Sequence, residues 1–234
     1  MLDNMIDKQA LWALVAAGLI AGFGCTATAK GRAVQQVWHF EQTAVGAIPS
    51  GWHSEATHGK GHGPLWQVVT DPTAPSPDHA LKMARPGGES RLTGFLGNLF
   101  NLCWTSDPAF ADGEIRVRFK AISGREDQGG GILWRLRDKN NYYVARFNPL
   151  EDNFRLYFVR AGHRKTLASA RVKLSADQWH SMRIVQQGDH FEGWLDGKKY
   201  LEGTSHVFRA PGGVGLWTKA DAVTEFDDFS VQVR

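Results

Sequence analysis

The chain has 234 residues, 42% of them hydrophobic, and its 27 Lys and Arg against 24 Asp and Glu give a formal charge of +3. That length is enough for one domain to bury a proper core without covalent staples. The basic residues are scattered along alternating segments, and no Lys/Arg run tracks a phosphate backbone, so nucleic acid is excluded as the expected partner.

Leu11 to Phe23 is an uncharged apolar run, followed by Ala27-Thr28-Ala29 in a small-x-small pattern, and it reads as a secretory signal peptide spanning residues 1–29. Two other readings stand beside it. Gly22-Phe23-Gly24-Cys25 could be a degenerate lipobox with Cys25 lipidated, and the charge-free stretch from Gln9 to Ala29 could stay as an uncleaved anchor. Cleavage after Ala29 leaves 234 − 29 = 205 residues, the size of one sandwich domain, and raises the charge to +4 because Lys8, Asp3 and Asp7 depart together. Cys103 is then the only cysteine, so no internal disulfide can form. It lies in the apolar run Leu99 to Trp104, where a small buried thiol is expected.

From Val34 onward the pattern is strand, turn, strand, with no segment of helical period, and the domain is expected to be all-β. Val37 to Glu41 opens the series and Pro49-Ser50-Gly51-Trp52 turns it. A Gly/His loop, His58 to Gly63, leads to the strand Leu65 to Thr70, and the proline-rich Asp71 to Asp78 must be a rigid loop. Ala80 to Ala84 and Leu99 to Thr105 add strands. In Glu114 to Ile122 the apolar Ile115, Val117, Phe119 and Ala121 alternate with charged residues, the mark of a strand with one wet face. Three glycines, Gly129 to Gly131, introduce Ile132 to Asp138. Asn140-Asn141 turns into Tyr142 to Asn148, and Phe154 to Arg160 and His163 to Arg171 follow. Trp179 to Val185 and Phe191 to Leu195 alternate around Gly188-Asp189, and Asp196-Gly197 is a dipeptide suited to a two-residue hairpin. Gly213 to Lys219 and Phe226 to Val233 close a count of roughly twelve to fourteen strands.

The series W-H-x-M-x-I, G-D, W-L-D-G between Trp179 and Gly197 resembles the concanavalin A-like, laminin G-like jelly rolls, two antiparallel sheets packed as a sandwich, whose members mostly bind or cleave carbohydrate. The run Gly129 to Ala168, GGGILWRLRDKNNYYVARFNPLEDNFRLYFVRAGHRKTLA, is similar to a bacterial branch of it, the 3-keto-disaccharide hydrolase-like domains. That resemblance covers Phe40 to Val233. It implies a single secreted jelly-roll domain over residues 30–234, with relatives that eliminate or hydrate 3-keto-glucosides, often with a metal. The family 16 glucanase label sometimes attached to such domains is disfavoured. Retaining glucanases need E-x-D-x-x-E on one strand face, and the nearest string, Glu225 to Ser230, lacks the second Glu.

Alternation places candidate side chains. With Ile132, Trp134 and Leu136 in the core, Arg135 and Arg137 face out; the neighbouring strands then present Tyr142, Arg146, Asn148, Arg155, Tyr157 and Trp217 on the same concave sheet. Aromatic faces stack on sugar rings and Arg forks hold hydroxyls or carboxylates, so this set is the expected saccharide site, with Trp217 as an open platform. The plainer reading is that these arginines cross-pair with carboxylates on a solvated face. His53, His58 and His62 have a spacing that could ligate zinc, although a Gly-rich loop is a poor cage. A structural calcium held by Glu41 with Asp227 or Asp228 would tie the first strand to the last, as the jelly-roll resemblance implies. For chemistry beside a ketone, His163, Glu151 and Asp152 are candidate bases with Arg146 as electrophile. The functional expectation is an exported, monomeric saccharide-binding module, the alternative a lyase or hydratase of 3-keto-glycosides, with an adhesive envelope domain third.

Overall fold

The computed structural model describes residues 34–88 and 98–234; the expected export segment, residues 1–29, and its Cys25 lie outside them. The described residues form fifteen strands: β1 (Val34–Trp38), β2 (His53–Thr57), β3 (Leu65–Thr70), β4 (His79–Arg85), β5 (Phe100–Phe110), β6 (Gly113–Ser123), β7 (Gly130–Asp138), β8 (Asn141–Asn148), β9 (Asn153–Arg160), β10 (His163–Arg171), β11 (Trp179–Gln187), β12 (His190–Leu195), β13 (Lys198–Thr204), β14 (Gly212–Lys219) and β15 (Val223–Val233). They build two antiparallel sheets, a jelly roll. Sheet I runs β13-β12-β11-β6-β15-β4-β3 with β1 also on β15, and sheet II runs β10-β9-β8-β7-β14-β5-β2.

Alternation fills the space between the sheets. Ile115, Val117 and Phe119 of β6 and Met182 and Ile184 of β11 meet Ile132, Trp134, Tyr143, Ala145 and Leu156 of sheet II in one core, where Cys103 is also buried. The hairpin at Asp196-Gly197 is as the dipeptide predicts, with φ of 44° and 78° at its two central residues.

The far side of sheet II is not an open face. Phe100, Leu102, Leu133, Leu136, Tyr142, Val144, Tyr157, Val159 and Trp217 form a second buried apolar cluster there. The sheet encloses it by curling until its opposite edges touch. Thr57 on edge strand β2 donates to the Lys139 carbonyl in the β7–β8 turn and bonds the Tyr142 hydroxyl at 3.0 Å. His58 Nε2 meets the Gly162 carbonyl of the β9–β10 turn at 2.9 Å, and the Arg164 guanidinium of edge strand β10 sits 5.2 Å from the Phe100 ring of β5. Glycines permit the close approach on the inside: a Cβ on Gly131 would lie 1.8 Å from the Ala145 carbonyl.

A bulge in β7 breaks the alternation. Arg135 adopts φ 47°, and the register with β8 jumps between Trp134 and Asp138. Everything beyond it changes face. Leu136, expected in the main core, joins the cluster inside the curl, while Arg137 turns to the Phe208 ring of the main core, 5.1 Å from its centroid. Arg135 itself, 1% exposed, donates to the carbonyls of Ala111, Gly188 and Phe208 and pairs with Asp112 at 3.3 Å. It is a strut between loops. The expectation that Arg135 and Arg137 belong to the concave binding face is therefore corrected.

Candidate functional site

The curl has a polar end, built on the register pair Arg146–Arg155 of β8 and β9, where β14 ends at Lys219. Arg146 is wholly buried. Its Nη1 donates to Asn153 Oδ1 at 3.1 Å and its Nη2 to Glu151 Oε2 at 3.0 Å. Glu151 Oε2 also accepts from Asn153 Nδ2 at 2.8 Å and Arg155 Nη1 at 3.3 Å. Burial alone would raise the Glu151 pKa, but Asn153, Arg146 and Arg155 together lower it to about 2, so this carboxylate is charged at neutral pH. Asn148 shapes the loop, its Oδ1 accepting the Leu150 amide at 2.8 Å in an Asx turn.

Asp127 faces the same cluster from the loop before β7. The loop is set by Asp221, whose carboxylate accepts the amides of Arg125, Glu126 and Asp127 at 2.8, 2.9 and 3.1 Å. Thr224 holds the far end through the Gly129 carbonyl at 2.9 Å. Asp127 is fully buried, and its Oδ2 is ion-paired with the Lys219 ammonium at 3.2 Å and lies 3.8 Å from Arg146 Nη2. Desolvation raises its pKa against the pull of those two cations.

Among the described residues, several polar atoms here are buried with no hydrogen-bond partner: Asp127 Oδ1, Arg146 Nε, Asn148 Nδ2, the Tyr157 hydroxyl and Arg164 Nη1. Such atoms cost free energy when left unmade, so each would gain from a ligand or water that bonds it. Arg164 stacks 4.4 Å over the Tyr157 ring, which joins the orphaned hydroxyl to the orphaned guanidinium nitrogen. Arg146, Arg155, Arg164 and Lys219 bring four cations against the two carboxylates of Asp127 and Glu151. The donors outnumber the acceptors, so the site suits a ligand rich in oxygen. Beside it, His58, Asn98, Phe100, Gly162, His163 and Arg164 line an open recess of about 380 Å³.

Of the sequence-predicted residues, Tyr142, Arg146, Asn148, Tyr157 and Trp217 do share the inner face of sheet II, and Arg155 and Glu151 join them at its polar end. Trp217 is not the open platform expected. The curl leaves it 0% exposed, 5.3 Å from the Phe100 ring, with its Nε1 donating to the Tyr142 hydroxyl at 3.2 Å. His163 lines the recess, whereas Asp152 serves the neighbouring turn with φ 48°. Asp127, Lys219 and Arg164 were absent from the predicted set. Asp127 could have been suspected as an acid just ahead of three glycines; Arg164 lies on β10, whose strand carries a register shift between Thr166 and Ala168.

The carboxylates expected to hold calcium are each taken up separately. Asp227 accepts from the amide and hydroxyl of Ser76 at 2.8 Å, Asp228 bonds His39 at 2.6 Å, and Glu41 accepts the His79 amide at 3.0 Å. The three do not converge on a cage. Among the described residues, the metal-type donors that do converge are His190, Glu192 and Glu202, with the Lys199 ammonium already 3.2 and 2.7 Å from the two glutamates. The histidines of the Gly/His loop also part company: His53 stacks 4.7 Å from Trp104, His58 holds Gly162, and His62 bonds Gly63.

The sequence model of the family described as "3-keto-alpha-glucoside-1,2-lyase-like domain" matches residues 46–232. Among solved structures, the carbohydrate binding module CBM66 from Bacillus subtilis is similar at 18% identity and TM-score 0.57, over 77% of this chain and 94% of that one. A Bacillus licheniformis beta-glucanase is similar at 11% identity and TM-score 0.55, over 88% and 99%. A B. subtilis protein described as having a galectin-like fold is similar at 17% and 0.53, over 78% and 90%. These likenesses show the jelly-roll fold. No curated protein matches the sequence.

Proposed function

The chain belongs to the 3-keto-alpha-glucoside-1,2-lyase-like domain family, and on that premise we propose that it is an exported, carbohydrate-directed jelly roll that grips a saccharide at the polar end of sheet II. The observation that carries this reading is the set of buried donors without acceptors: Arg146 Nε, Asn148 Nδ2, Arg164 Nη1 and the Tyr157 hydroxyl. A sugar supplies hydroxyl and carbonyl oxygens at the spacing of neighbouring ring positions, and each bond made to a waiting buried donor recovers a desolvation cost of about 1–3 kcal/mol. The excess of cations favours a sugar whose oxygens carry partial or developing negative charge, as a ketone does. Calorimetric titration with a glucosyl disaccharide and with the same disaccharide oxidised at C3 tests it. Binding of the keto form, weakened about tenfold in Arg164→Gln, is expected; no heat with either sugar overturns the proposal.

A second reading, elimination from the bound keto-sugar, rests on Asp127, a buried carboxyl with raised pKa between Lys219 and Arg146. The C2 proton of a 3-keto-glucoside is acidic because its electron pair can move onto the ketone oxygen. Asp127 would take that proton while Arg146 or Arg164 steadies the enolate oxygen. Return of the electron pair to form the C1–C2 double bond restores the ketone, breaks the C1–O bond and expels the aglycone oxygen, which takes up a proton. Proton NMR of a 3-keto-α-glucoside incubated with the protein is expected to show aglycone release, abolished in Asp127→Asn. A bound but unchanged sugar leaves the binding module alone.

A further inference from the structure

The outer face of sheet I carries an arrangement that folding alone gives no reason for. Arg183 of β11 lies directly opposite Arg116 of β6, and Arg118 lies two residues along the same face, opposite Ser181. Like charges opposed across an antiparallel pair destabilise a sheet. One carboxylate serves the pair: Glu114 Oε1 bonds Arg116 Nε, and its Oε2 lies 3.7 Å from Arg183 Nε. Arg118 has no ion pair or hydrogen bond among the described residues, and its Nε is buried without a partner. The acids nearest to it are spoken for, since Asp227, its register neighbour on β15, is occupied by Ser76, and Asp228 by His39.

Around these guanidiniums runs a groove of about 450 Å³ lined by Arg116, Arg118, Arg183, Trp194 and Ser181, with the His39-bound carboxylate of Asp228 also on its wall. Its volume is in the range of small-ligand sites. Trp194, opposite Arg183 on β12, forms one wall; the Arg183 guanidinium lies 4.1 Å over its ring. The walls thus combine the Arg118 guanidinium, without an ion pair among the described residues and suited to a carboxylate, with a hydroxyl and an indole ring, which match a sugar ring. A bare inorganic anion would have no use for the indole ring.

We propose that this groove is a second ligand site, for a saccharide bearing a carboxylate, on the sheet opposite the Arg146 site and independent of it. The acid group of a uronic-acid residue meets Arg118 and Arg116, and its ring lies toward Trp194 and Ser181. The probes are a short oligogalacturonide, its methyl ester and inorganic sulfate, titrated into the protein by calorimetry at low and moderate salt. The oligogalacturonide is expected to bind, with affinity falling as salt rises, and the ester, which has lost the charge, at least tenfold more weakly. Arg118→Gln is expected to lose tenfold or more at an unchanged melting temperature, Arg118→Lys to keep part of the affinity, and Trp194→Ala to weaken the saccharide while leaving the response to sulfate unchanged. Tyr157→Phe, at the Arg146 site, is expected to leave uronate binding untouched, so the two sites fail or succeed separately. Equal binding of acid and ester, unchanged affinity in Arg118→Gln, or sulfate binding as tightly as the oligosaccharide would each overturn the proposal.

Discussion

Tyr157 and Trp217 share a face yet behave oppositely, and the difference is whether their polar atoms are matched. The Tyr157 hydroxyl is buried without a partner among the described residues. Tyr157→Phe therefore removes a group that costs the folded state free energy: the melting temperature is expected to stay level or rise, while saccharide affinity falls by about 1 kcal/mol, read by thermal melts and calorimetry on one preparation. Trp217 has its indole nitrogen bonded and its ring enclosed, so Trp217→Ala is expected to cost about 3–5 kcal/mol of stability by denaturant titration. Period-two alternation assigned both rings to the right side of sheet II. It could not say that the side is closed, because closure depends on Thr57 and His58 meeting residues 82 and 104 positions away, at Lys139 and Gly162.

At the level of the strand, β7 shows how one residue redirects a face. Reading Ile132, Trp134 and Leu136 as a single stripe was sound until the bulge at Arg135, and no glycine marks that bulge because the residue itself takes the left-handed backbone. What stabilises it is the capture of three loop carbonyls by a buried guanidinium. Arg135→Ala is expected to cost about 3 kcal/mol and to loosen the loops at Ala111, Gly188 and Phe208, seen as faster amide exchange there. The order of strands, the Asp196-Gly197 hairpin and the core stripe of β6 were all legible, since they follow from local patterning. The Asp127 loop was not, because Asp221 sets it from 94 positions away.

For the molecule as a whole, the carboxylates whose pKa folding lowers set the loss of stability in acid, while Asp127 and Asp227, raised by burial, work the other way. Glu151 falls from 4.5 to about 2 on folding, and Asp71, held by Lys120 and Thr73 against the cost of its own burial, is lowered as well. A folded pKa below the unfolded one means stability that is fully present above the unfolded value and lost as pH falls through the folded value. Melting temperature is therefore expected to hold from neutrality down to about pH 4.5 and to decline steadily toward pH 2, with a shallower decline in Glu151→Gln. A flat profile across that interval would contradict the ion-pair assignments.

The curl of sheet II also bears on the order in which the chain can fold. The hairpins β7–β8 and β9–β10 need only near neighbours, whereas the clasp between His58 and Gly162 joins positions 104 residues apart and must await strands from both halves of the sequence. Until that clasp forms, the rings of Phe100, Tyr142, Tyr157 and Trp217 face water on a sheet with two raw edges, the kind of surface that recruits another chain. Weakening the clasp is then felt first in refolding yield: His58→Ala is expected to aggregate more on dilution from denaturant, in proportion to protein concentration, even where the native state survives.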